Sequence, residues 1–97
     1  MSKASDKINS QELYRAILTL QNEEECRRFF KDLCTISELR AMEQRYDVAV
    51  LLDQGMVYSD ILEATGASSA TISRVNRALN YGENGYKDVI SRRKAQK

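Results

Sequence analysis

The chain has 97 residues, enough for one small domain, and its 42% hydrophobic and 30% charged content is that of a globular chain rather than a disordered one. No apolar run approaches the roughly 18 to 20 residues that span a bilayer, and the opening MSKASDKINSQ lacks the apolar centre of an export signal. A cytoplasmic location and no membrane partner are therefore expected. There is no histidine, and Cys26 and Cys34 are the two cysteines. Eight residues apart on a predicted helix, they lie about 12 Å apart along one face, too far for a disulfide within the segment. They read as small apolar residues, a redox or metal role being the alternative. Without histidine the usual general base and most zinc sites are missing, so no enzyme, cofactor or metal is expected.

The net charge of +1 hides an uneven distribution. Met1 to Thr65 hold 8 basic against 12 acidic residues, whereas Gly66 to Lys97 hold 7 against 2. A basic third on an acidic body suits a DNA-reading module carried by a separate scaffold.

Apolar residues recur with helical spacing and no strand-like alternation persists, so the fold class is all-α. The first predicted helix runs from about Asn9 to Leu20, with Leu13, Ile17 and Leu20 on one side. Asn22 can cap the second, whose positive end suits Glu23, Glu24 and Glu25. Its Cys26, Phe29, Phe30, Leu33 and Cys34 form a wide apolar stripe, destined for core or for a subunit interface. A third helix begins at Thr35 or Ser37, with Glu38 spaced from Thr35 as in a capping box, and runs to about Gln54. Its VAVLL segment is apolar on all sides, which a small monomer can hardly bury, and this favours a homodimer. Gly55 ends it.

A short helix over about Tyr58 to Thr65, a turn at Gly66 and a helix from Ser68 to about Asn80 fit a helix-turn-helix at about 58–80. Ile61 and Leu62 should face inward from the first helix, and Ile72, Val75 and Leu79 from the second, with Ala67 small at the turn. That leaves Ser68, Ser69, Ala70, Thr71, Ser73, Arg74 and Arg77 for the turn and the remaining faces. Short hydroxyls near a helix N-terminus can donate to phosphates beside backbone N–H groups, and small residues let the backbone sit deep in a groove. Ser69, Ala70, Thr71, Ser73 and Arg77, with Ser68 and with Tyr58 and Ser59 at the start of the first helix, are the candidate contacts to double-stranded DNA. The plainer alternative is that Ser68 caps its helix and the others are solvated. NYGENG breaks the pattern, and a weakly amphipathic last helix follows over Tyr86 to about Arg93. One domain is expected over 10–93, between a mobile arm at 1–9 and a mobile tail at 94–97.

LLDQG followed by YSDILEATGASSATISRVNRAL resembles the helix-turn-helix of the Trp repressor superfamily, and TISELRAMEQRYDVAVLL resembles the long helix before it. With CRRFFKDLCT and NYGENGY, the chain from about 10 to 92 is similar to the Trp-repressor-like YerC/YecD group. The resemblance implies six helices interlocked with a second subunit, and two recognition helices reading a roughly palindromic operator. In ligand-responsive members two arginines flank a small molecule, and these positions fall on Arg45 and Arg74, with Thr35 matching a threonine at the start of the long helix. Arginine can clamp a carboxylate or stack on a ring, so a small acidic effector is implied. Where the tryptophan-binding pattern has glycine after the recognition-helix arginine this chain has Val75, and Ala78 replaces a serine. There is also one residue fewer between the long helix and the turn. Tryptophan should fit badly.

The leading reading is a dimeric DNA-binding repressor. Its rivals are a helical protein-interaction module that docks through the hairpin, and a small enzyme using Arg45, Arg74, Glu38 and Glu43. Counterion release would make DNA binding steeply salt-dependent, unlike docking on an apolar face.

Overall fold

A computed structural model describes residues 11–96. They form six α-helices and no strand: α1 Gln11–Ile17, α2 Glu23–Leu33, α3 Ile36–Asp53, α4 Tyr58–Thr65, α5 Ser69–Tyr81 and α6 Gly85–Ala95. The arm expected at 1–9 lies outside the described residues, as does Lys97. Among the described residues no helix is long and apolar enough to cross a membrane.

The chain forms two compact units, one ending at Ile36 and one beginning at Ser37. Burial explains the division. Neither α1 nor α2 contains a buried residue, whereas the buried apolar side chains all lie between Val48 and Ile90.

In the first unit α1 stops at Ile17, three residues short of the expected end. The Thr19 N–H and hydroxyl both donate to the Ala16 carbonyl, at 3.0 and 2.6 Å, and close the helix with a tight turn. Asn22 caps α2 as expected: its Oδ1 accepts the Glu25 N–H at 2.9 Å, and Glu25 reaches back to accept the Gln21 N–H at 2.9 Å. Phe29 and Phe30 meet edge to face, with ring centroids 5.4 Å apart. The stripe from Cys26 to Cys34 is only half covered within one chain, and Leu33 stays exposed.

In the second unit α3 turns from polar to apolar along its length and contributes Val48 and Ala49 to the core. Gln54 and Gly55 turn the chain, Gly55 with φ 87°. Ile61 of α4, Ala67 of the turn, Ile72, Val75 and Leu79 of α5 and Ile90 of α6 complete that core, with Val50, Leu51, Leu52, Met56, Tyr46 and Tyr86 packed around it. α6 extends to Ala95, two residues past the expected end, so Lys94 is helical rather than part of a loose tail. Its ammonium pairs with Asp53 at the end of α3 at 2.7 Å, and the basic last turn complements the helix dipole.

One inward assignment is corrected. Ile61 is fully buried, but Leu62 is 46% exposed. An eight-residue helix offers a narrow buried strip, and two consecutive positions point about 100° apart, so only one can occupy it. Ile61→Ala should cost about 2–5 kcal/mol of stability and Leu62→Ala under about 1 kcal/mol. Urea unfolding midpoints of the two variants would show the contrast; equal losses would place both side chains in the core.

Candidate nucleic-acid interface

α4 and α5 pack on one another across a three-residue connection, 66–68. Gly66 ends α4 in the left-handed region with φ 73°, where a side chain is disfavoured, and its N–H donates to the Leu62 carbonyl at 2.8 Å. The Thr65 hydroxyl donates to the Ile61 carbonyl at 2.7 Å and accepts the Ala67 N–H at 3.1 Å. Ala67 is buried, and a larger side chain there would have to displace the core. The turn is thereby fixed by backbone geometry, side-chain bonding and packing together.

α5 begins at Ser69 because Ser68 caps it: the Ser68 Oγ accepts the Thr71 N–H at 3.1 Å. The Ser68 hydroxyl also lies 3.1 Å from the Thr71 hydroxyl as a donor. The buried residues of α5 are Ile72, Val75 and Leu79, a strip with helical spacing. Ala70, Ser73, Arg74 and Arg77 form a second strip with i, i+3, i+4, i+7 spacing, all exposed, and Ser69 is exposed beside them. α5 carries no acidic residue, and among the described residues Arg74 and Arg77 form no ion pair. Small side chains at its first turn and two unneutralised guanidinium groups further along therefore share one outward face.

Ser68 is the cap that the plainer reading made it. Ser68 and Thr71 bond to each other, and Thr71 is half-buried, so these two serve the helix start. Tyr58 and Ser59 stand exposed at the start of α4. Val57, in the cap position there, supplies no side-chain acceptor, so the first N–H groups of α4 are not taken up by a side-chain cap.

The candidate effector residues differ in burial and in the element that carries them. Arg45 is half-buried on α3 and Arg74 exposed on α5, and among the described residues neither forms an ion pair or a side-chain hydrogen bond. Thr35 precedes α3 and belongs to the first unit. Val75 is buried in the core rather than lining open space. Two clefts of the second unit, of about 420 and 580 Å³, share Tyr46, and none of Arg45, Arg74 and Val75 lines either. The second is walled by Ala78, Tyr86 and Val89 beside Glu83.

A residue without an evident role in the sequence emerges at the turn. The Gln44 side chain of α3 donates from Nε2 to the Thr65 carbonyl at 3.1 Å, across 21 residues of sequence. The available signal was a polar amide one helical turn before Val48, on the face that α3 buries. Removing the Ser68 cap by Ser68→Ala should cost about 1 kcal/mol, read as a lower urea midpoint. An unchanged midpoint would mean that the α5 start does not depend on that hydroxyl.

The chain matches the Trp repressor protein family over residues 9–94. It is 49% identical over 90 residues to YerC of Bacillus subtilis (strain 168), an uncharacterised protein, covering 90% of this chain and 86% of that one. A solved Staphylococcus aureus chain, described provisionally as a Trp repressor, superposes with a TM-score of 0.85 at 42% identity, covering 95% of this chain and 94% of that one. A TrpR-like protein from Eubacterium eligens ATCC 27750 superposes at 0.84 with 47% identity, covering 93% and 94%.

Proposed function

Because the chain belongs to the Trp repressor family, we propose that it is a sequence-specific, DNA-binding transcriptional regulator, a cytoplasmic repressor that reads a palindromic operator as a homodimer. The observation that carries this reading is the outward strip of α5, held at a fixed angle by the buried strip opposite it. In this docking class, to which the Trp repressor itself belongs, the N-terminal residues of the second helix meet base edges in the major groove. Ser69 and Ala70 would approach the bases with Ser73, and Arg77 would neutralise phosphate. Tyr58, Ser59 and the uncapped start of α4 suit the backbone on the groove's edge.

The second subunit is supported by apolar surface left open in one chain: Leu18 is 83% and Ile36 75% exposed, with Tyr14, Leu33 and Met42 also exposed. A homodimer offers a means of covering it. Light scattering at micromolar concentration should give the mass of two chains, and a compact, stable monomer would overturn the dimer.

Arg45 and Arg74 suit an acidic effector, because guanidinium groups without carboxylate partners are open to one. Tryptophan is a poor candidate: Val75 stands where its binding pattern has glycine, and Ala78 where it has serine. The protein works without catalysis, cofactor or metal.

Exposed Val57 just before α4, with Tyr58 and Leu62 on it, favours protein docking as the second reading. Ala70→Glu tests the first. It sets a carboxylate on the outward strip without touching the core, so folding should be unchanged. Binding to a duplex selected by the wild-type protein from a random pool should fall by about tenfold or more, like-charge contact with phosphate costing at least about 1.4 kcal/mol. The wild-type affinity should also drop steeply with salt. Unchanged affinity in the variant, or a flat salt response, would favour docking.

A further inference from the structure

We infer that Gln44 is a positioning residue that sets the angular register of the reading head on α3, an inference that rests on the DNA-reading function proposed above. Side-chain hydrogen bonds across long stretches of sequence tie elements of the second unit to one another. Lys94 to Asp53 joins α6 to α3 at the surface, while Gln44 to Thr65 joins α3 to the helix-turn-helix itself and is partly buried.

The location of that second bond gives it its role. The last carbonyls of a helix have no partner within it, and Thr65 is the last residue of α4. The Gln44 amide satisfies the Thr65 carbonyl at the point where the chain leaves α4 for the turn. Thr65 is in turn bonded through its hydroxyl to the Ile61 carbonyl and to the Ala67 N–H. One side chain of α3 therefore grips a residue whose other bonds define the connection between α4 and α5.

Apolar packing could not supply this alone. Val48 and Ala49 meet Ile61, Ile72 and Val75 in a core with no buried polar group, and such contacts are non-directional. A hydrogen bond is directional, weakening steeply as its angle departs from linearity. Gln44 lies one turn before Val48 on the same side of α3, so its bond adds a directional tie at the rim of that apolar core.

The test uses the full chain and two duplexes of equal length, one selected by the wild-type protein from a random pool and one of unrelated sequence. Gln44→Met keeps the length and shape of the side chain but removes the donor; Gln44→Lys restores a donor of comparable reach. The Met variant should bind the selected duplex about tenfold more weakly, because base contacts need the head held at one angle. Its affinity for the unrelated duplex should be unchanged, because phosphate contacts tolerate a misaligned head. The Lys variant should recover most of the loss. A Met variant that binds both duplexes like wild type overturns the inference, and so does one weakened equally on both. So does a Lys variant no better than Met, which would make Gln44 a packing residue. If the wild-type protein enriches no sequence, the DNA-reading function falls first and the positioning role with it.

Discussion

Burial of the Ile72, Val75 and Leu79 strip against Val48, Ala49 and Ile61 is the interaction on which the rest of this structure depends. α5 has one apolar strip and the second unit has one core to receive it, so the rotation of the helix about its axis is settled by burial. Once those three side chains point inward, geometry leaves Ala70, Ser73, Arg74 and Arg77 outside together. The outward face is a by-product of the inward one. Its placement needs no interaction of its own, which is why residues with modest helix propensity can occupy it.

The turn refines what the core begins. Gly66 provides the backbone conformation, Ala67 the small volume, Thr65 the local bonds and Gln44 the link to α3. Each acts at a different range, from a single dihedral to 21 residues of sequence. Cooperation at several ranges gives a helix pair one angle rather than a family of angles.

Much of this was legible in the sequence because helices announce themselves by period and punctuation. Asn22 and Ser68 were readable as caps, Gly55 and Gly66 as stops, and α4 was placed from Tyr58 to Thr65. The outward strip of α5 followed from the same period. What was not legible depended on contacts between distant residues. Leu62 looks as apolar as Ile61, and only the narrowness of the buried strip separates them. Lys94 looks like tail until Asp53 is seen beside it, and the place of Gln44 one turn before Val48 hints at a covered face without naming Thr65 as its partner. The α2 stripe has the pattern of a core element, yet within one chain it is only half covered. Val75 shows the converse: identified as a wall of the effector site by resemblance and as a core residue by period, it is buried as the period implied.

The separation of roles along α5 also bears on how such a protein can change over generations. Ser69, Ala70 and Ser73 are exposed, so replacements there carry little thermodynamic penalty and are screened almost wholly by what they meet outside. Ile72, Val75 and Leu79 face the opposite filter, since nearly any change in volume disturbs a close-packed interior. Interleaved along one helix, the two sets are free to drift at different rates. A lineage can thus retarget the outward strip in single steps while the inherited scaffold stays intact, and relatives that superpose closely need not share a binding preference.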